Sequence, residues 1–208
     1  MLIIGAKGFA RELLEIFHQK DETSNIVFYD DFSEDLPEKL FGLFDIIRSE
    51  ERAKSYLLET DQRFVLGLGN PVLRESMARK FIGCGGQLTS VVSPKSVIGH
   101  FSNVIDLGCC IMTGAILTNE IKLGKGVLVN INCTIGHNSD IGSFCELCPG
   151  VNISGNVTIG DSCFIGTGAS ILPRITIGDN VKIGANAVVT KDLPSNVTVV
   201  GIPARIVG

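Results

Sequence analysis

His137 is the residue of this chain best suited to moving a proton. It stands in Ile135-Gly136-His137-Asn138-Ser139-Asp140, just after an aliphatic position, at a corner of the chain and not in an interior position. An imidazole accepts a proton near neutrality, so it can serve an attacking amine or hydroxyl as general base. Asn138 can accept a hydrogen bond from the ring but cannot stabilise an imidazolium by charge; Asp140 is the candidate carboxylate for that task. His18 and His100 read as structural or surface residues. A second constellation lies near the N-terminus. Gly5-Ala6-Lys7-Gly8 falls between a strand and a helix, where open backbone N–H groups favour a phosphate. Asp30-Asp31 ends the next strand, with Asp31 26 residues after Gly5, about where an acidic group meets a ribose or base. Gly69-Asn70 would close the same crevice at the end of a third strand. The glycines fall short of a full G-x-G-x-x-G, so a plain tight turn with solvated acids stays open as the alternative. Among seven cysteines, Cys145-x-x-Cys148 is the tempting metal pair. No histidine stands at zinc-finger spacing from it, and no metal is expected.

The elements that must hold these residues follow from a period of six. An aliphatic residue occupies every sixth position from Ile105 to Val189, and Gly follows it at 124, 136, 142, 160, 166, 178 and 184. Neither a helix period of 3.6 nor a strand period of 2 gives that pattern. Two residues earlier the chain keeps small or β-branched side chains, among them Cys109, Cys133, Cys145 and Cys163. That spacing puts both positions on one face of a very short strand, pointing inward. Glycines 124, 142, 160 and 178 recur every 18 residues, so three hexapeptides make one triangular coil and roughly five coils stack about 4.8 Å apart. Cys145 and Cys163 should stack on adjacent coils as small hydrophobes, unbridged in a reducing compartment. Ile98-Gly99 is one residue out of register, which implies an insertion near residues 100–106.

Before the repeat, strands are expected at 2–5, 26–29 and 64–68, with helices at 8–20, about 49–59 and from 71 to about 82. That β–α–β alternation means a small parallel sheet of the doubly wound, Rossmann-like kind. The expected domains are 1–88 (α/β) and 89–208 (all-β solenoid and tail). Residues 1–90 carry 11 Lys/Arg and 15 Asp/Glu, the remainder only seven of each. A net charge of −4 without a basic run argues against nucleic acid as a partner. No apolar run of eighteen and no signal peptide is present, so a cytoplasmic protein without membrane insertion is expected.

The repeat, together with "LIIGAKGFARELLEIF", "VFYDD", "VLGLGN" and "VVGIPARIVG", resembles the hexapeptide-repeat sugar acetyltransferases of the sialic-acid O-acetyl and bacillosamine N-acetyl type. The resemblance implies a left-handed parallel β-helix, acetyl-CoA as co-substrate, and a homotrimer with sites between subunits. It implies a nucleotide sugar (UDP- or dTDP-4-amino-sugar type) held by Gly5, Ala6, Lys7, Gly8, Asp30, Asp31, Gly69 and Asn70. His137 then falls at the catalytic histidine, with Asn138 where an acidic residue is usual. Gly155 falls where a main-chain N–H meets the thioester, Thr167 and Ala185 where the pantetheine arm is held, and Pro203 and Arg205 where the nucleotide end of the coenzyme lies. Glu146 stands where a second histidine is frequent and would suit a substrate amine; Phe9 replaces a histidine that reaches the phosphates. The implied activity is N-acetylation of a nucleotide-linked amino sugar. Sugar O-acetylation is the same-class alternative. A non-catalytic sugar-nucleotide-binding scaffold is the other, encouraged by Phe9, Asn138 and Glu146.

Overall fold

The computed structural model describes residues 1–207. Its first part is an open sheet in the order β3-β4-β2-β1-β5-β6, formed by β1 (Leu2–Ile4), β2 (Val27–Tyr29), β3 (Lys39–Leu40), β4 (Phe44–Ile47), β5 (Arg63–Leu66) and β6 (Gln87–Leu88). All neighbours are parallel except the β3–β4 pair. Helix α1 (Gly8–Gln19) connects β1 to β2, α2 (Glu50–Glu59) connects β4 to β5, and α3 (Pro71–Gly83) connects β5 to β6. The ends of the helices carry their own signals. Ser49 Oγ accepts the Arg52 N–H at the start of α2, and Asn70 Oδ1 accepts the Leu73 N–H ahead of Pro71 at the start of α3. Leu13, Leu14 and Phe17 lie on the buried face of α1, as their spacing predicts.

From Val91 the chain forms two-residue strands in three parallel stacks, the sheets of a left-handed β-helix. One face contains strands 91–92, 110–111, 128–129, 146–147, 164–165 and 182–183; the second contains 97–98, 116–117, 134–135, 152–153, 170–171 and 188–189; the third runs from 104–105 to 176–177. Strand partners are 18 residues apart, as in Thr134↔Asn152. At the first coil the offset is 19, as in Ile116↔Val97. The extra residue lies between Ile98 and Val104, where Asn103 donates to the carbonyls of Gly99 and Thr118 and so closes the longer corner. The aliphatic and small inward positions fill one continuous core. Four thiols have a shared reason to be there: Cys109, Cys133, Cys145 and Cys163 donate to the carbonyls of Gly124, Cys148, Gly160 and Gly178, each 15 residues on, at 3.0–3.2 Å. Each fills the corner and satisfies a carbonyl at once. The Cys163 N–H also points at Cys145 Sγ at 3.4 Å, so these two stack on adjacent coils.

The α/β layer packs on the outer face of the first stack. Cys110 and Leu128 occupy outward strand positions yet are fully buried, in one cluster with Ile3, Leu13 and Phe17. Beneath this joint lies Arg74, with no exposed surface. It donates to the Leu66 and Leu68 carbonyls at 3.1 and 2.6 Å and twice to the Gly126 carbonyl, at 3.2 and 2.9 Å. One guanidinium thus ties α3 and β5 to the β-helix. Among the described residues no helix is long and apolar enough to cross a membrane, and no group of three or more His, Cys, Asp or Glu side chains converges as a metal site would.

Candidate functional site

A cleft of about 520 Å³ opens at the carboxyl ends of β1, β2 and β5, where doubly wound sheets take their ligands. Gly5, Ala6, Lys7, Gly8, Asp30, Asp31 and Gly69 all line it, so the sequence motifs converge in space. Gly5 has φ +100°, and a Cβ there would stand 2.9 Å from the Gly67 carbonyl oxygen, so only glycine lets the chain turn out of β1 here. Lys7 precedes α1 without a side-chain cap, leaving the helix's first N–H groups facing the cleft. Its ammonium pairs with Asp35 at 2.7 Å on the surface.

The two aspartates differ. Asp30 builds the wall: Oδ1 accepts the N–H groups of Phe32 and Ser33, and Oδ2 accepts the Ala6 N–H and the Ser33 hydroxyl. Asp31 accepts the Tyr29 hydroxyl at 2.6 Å with Oδ2, and its Oδ1 has no hydrogen-bond partner among the described residues. Burial and Asp31 together push the Tyr29 phenol up to about 12, so it remains a donor. Asn70 does not reach the lining; its side chain caps α3. Phe9 lines the cleft and packs with the apolar cluster of the domain joint. The motifs gave no sign of the apolar part of the wall, namely Phe32, Leu68, Leu73 and Met77. Phe32 is 92 % exposed, an aromatic surface open to a planar ligand group.

Glu146 is buried, at an outward strand position beneath the α/β layer; a Cβ on Gly69 would touch its Oε1 at 2.8 Å. Its carboxylate therefore packs against Gly69, while Glu146 itself is not among the residues that line the cleft. Burial raises its carboxyl above the usual value, with the Arg74 charge pulling the other way. Burial also pushes the Cys148 and Cys109 thiols up to about 12, which removes them as nucleophiles.

His137 is exposed at the corner between the second and third faces, opposite the face that carries the α/β layer. Its ring lies over Gly155, one coil along, where a Cβ would stand 2.7 Å from Cε1 and Nε2. Nδ1 is 2.8 Å from Asn138 Oδ1. Asp140 does not orient the ring: it pairs with Lys122 at 3.3 Å on the next strand face. The carboxylate that reaches this corner is Glu120, at 3.0 Å from Asn138 Nδ2. It is 18 residues before Asn138, a spacing that could have revealed it.

The backbone at this corner leaves N–H groups open, as Thr167 and Ala185 do on another corner. Along the neighbouring corner three successive N–H groups are capped from the coil above: Ser143 by Asp161, Asp161 by Asp179, Asp179 by Ser195. Above His137 stand Gly155 and Pro173, which have no side-chain acceptor. The N–H groups of His137 and Gly155 have no partner among the described residues. Thr167 and Ala185 are exposed on a different corner, after the first face. Pro203 and Arg205 lie in the exposed tail that turns back over the last coil, where the Ala204 N–H meets the Val188 carbonyl at 2.8 Å. One chain therefore does not bring His137 together with its own cleft, or with Thr167 and Ala185.

Residues 1–81 match the PglD N-terminal domain family, and residues 156–191 match the bacterial transferase hexapeptide family (six repeats). No curated protein sequence matches the chain. Three solved structures are similar over nearly the whole length. A histidine mutant of perosamine N-acetyltransferase from Caulobacter crescentus, in complex with CoA and GDP-perosamine, is 27% identical with a TM-score of 0.91, covering 100% of this chain and 96% of that one. The acetyltransferase domain of PglB from Neisseria gonorrhoeae, in complex with acetyl coenzyme A, is 28% identical with a TM-score of 0.87, covering 99% and 98%. WeeI from Acinetobacter baumannii is 31% identical with a TM-score of 0.89, also covering 99% and 98%.

Proposed function

The chain belongs to the hexapeptide-repeat sugar acetyltransferases, and on that premise we propose that it acetylates the amine of a nucleotide-linked amino sugar, with His137 as general base. The observation that carries this reading is the His137 corner: an imidazole oriented at Nδ1, lying over a glycine, beside two unpartnered backbone N–H groups. The amine attacks the thioester carbon of acetyl-CoA; the C–N bond forms and the C–S bond breaks. Nε2 takes the amine proton and the departing thiolate receives a proton. The free Gly155 N–H is suited to the carbonyl oxygen as charge grows on it. Thr167, Ala185, Pro203 and Arg205 would hold the coenzyme arm and its nucleotide end.

The sugar nucleotide belongs in the cleft. The N–H groups at the start of α1 would meet its phosphates, Asp31 the nucleoside, and Phe32 the base by stacking. Glu146 would face the sugar amine. This cleft and His137 lie on opposite sides of one chain, so the reading requires a homotrimer in which a neighbour's His137 meets the sugar. The test follows directly. A His137→Ala chain and a Gly8→Tyr chain, whose new side chain enters the open space at residue 8 in the cleft, are each expected to be inactive. Hybrid oligomers made by co-expression should recover turnover; hybrids as inactive as their parents would sink the shared site.

Gly155→Ala should also be informative. The new Cβ meets the imidazole, and a displacement of that order costs about 10²-fold in kcat. The melting temperature should barely change, since residue 155 lies at a corner outside the core. The reaction itself is tested by thiol release from acetyl-CoA with GDP-, UDP- and dTDP-linked 4-amino sugars, with sialic acid alongside. Turnover of sialic acid alone would move the chemistry to O-acetylation, and silence with coenzyme bound would favour a scaffold.

A further inference from the structure

We propose that Glu120 is a positioning residue for His137, acting through Asn138 to fix the imidazole as the Nδ1–H tautomer with the Nε2 lone pair free. The inference rests on the reading of His137 as the base. Its starting point is what an asparagine leaves undecided. An aspartate beside a histidine can only accept, so it always selects the Nδ1–H form. An amide has a donating and an accepting end, and rotation by half a turn exchanges them. If Asn138 offered its NH₂ to Nδ1, the proton would sit on Nε2, and the base would be lost.

Glu120 removes that choice. An ionised carboxylate has no proton to give, so only the NH₂ of Asn138 can satisfy it, and the 3.0 Å contact is made by Nδ2. That leaves Oδ1 turned to Nδ1 at 2.8 Å, where it must accept. The geometry comes from the coil repeat. Glu120 and Asn138 both adopt φ +57°, one coil apart, and the Asn138 N–H donates to the Asn119 carbonyl at 3.2 Å. Their side chains therefore leave the corner in the same direction, one above the other. No Lys or Arg pairs with Glu120 among the described residues, so its carboxylate serves this contact. Both side chains are exposed in the single chain. The effect is thus one of orientation and does not depend on a strong charge–charge attraction across water. During turnover, the imidazolium formed when Nε2 takes the amine proton donates Nδ1–H to the same Oδ1, and the tautomer is restored when the thiolate takes the proton back.

The test is steady-state kinetics on the full chain with four variants. Glu120→Ala should lower kcat by about 10-fold, the lower end of what an orienting partner contributes at comparable sites, with KM for acetyl-CoA unchanged. Glu120→Gln should fall between it and the parent, because its carbonyl can still accept from Asn138. Adding Asn138→Asp to Glu120→Ala should restore most of kcat: the new carboxylate accepts from Nδ1–H without any help. A structural role for Glu120 predicts no such recovery, since the double variant still lacks the bond between coils. Unchanged kcat in Glu120→Ala, or a double variant no faster than Glu120→Ala, would overturn the proposal. His137→Ala in the same series separates the two levels. If it keeps full turnover, the base reading falls and this inference with it. If it alone loses turnover, only the role of Glu120 falls.

Discussion

His137→Ala is expected to lower kcat by about 10²–10⁴-fold, the range a positioned general base contributes, while leaving acetyl-CoA affinity near that of the parent. The two halves of this expectation have separate physical causes. The attacking amine must lose a proton as its bond to the thioester carbon forms, and no other titratable group of the chain replaces His137 at this corner: Asp140 is turned to Lys122, and Glu120 is engaged by Asn138. The coenzyme, by contrast, is assigned to backbone groups and to Thr167, Ala185 and Arg205, none of which depends on the imidazole. Calorimetric titration of acetyl-CoA and thiol release, on the same preparation, measure both halves. Lost coenzyme binding would mean that the ring acts in binding; unchanged kcat would remove the base. Gly155→Ala tests the same geometry from beneath the ring, since it leaves the imidazole in place chemically but moves it.

The solenoid was legible because each coil repeats the previous one in 18 residues. Any rule obeyed by Ile135 must then hold for Ile153 and Ile171, and even the insertion before Val104 announced itself as a break in register. The cleft was legible where glycine is demanded by the backbone, as at Gly5. It was less so where a side chain had two possible uses: Asp30 builds the wall and Asn70 caps α3, although both stand at motif positions. The partner of the His137 corner was not legible, because the sequence does not show which way Asp140 points. On a β-helix the neighbour of Asn138 is residue 120, whereas Asp140 already belongs to the next strand and faces Lys122. The docking of the α/β layer left one faint sign, the apolar residues Cys110 and Leu128 at outward strand positions that a solvated face would fill with polar groups. Arg74 left none, since its partners are main-chain carbonyls, which have no identity in a sequence.

Arg74→Met should destabilise the fold by about 3–5 kcal/mol, the usual loss when one partner of a buried charged network is removed. Methionine matches the length of the arginine stem, so little of the loss is cavity. What it leaves behind are the carbonyls of Leu66, Leu68 and Gly126 without their donor, in a place water does not reach. Each buried acceptor so abandoned costs about 1–3 kcal/mol, and partial relaxation keeps the sum within the stated range. The loss should also depend on pH. Burial already raises the Glu146 carboxyl above its usual 4.5, and the Arg74 charge opposes that rise. Without Arg74 the folded-state value climbs further, so the variant pays an added desolvation cost wherever Glu146 is ionised in the unfolded chain. A raised acid is destabilising above its folded-state pKa and neutral below the unfolded one. The difference between parent and variant should therefore be largest at alkaline pH and shrink as the pH falls through the folded-state value towards 4.5. Urea unfolding across that interval measures it. A loss below about 1 kcal/mol, within the range of a single ordinary hydrogen bond, would mean the carbonyls find other partners. A loss independent of pH would mean that Glu146 does not sense the guanidinium. Either result would separate the α/β layer from the β-helix energetically, and with it the contact where Gly69 meets Glu146.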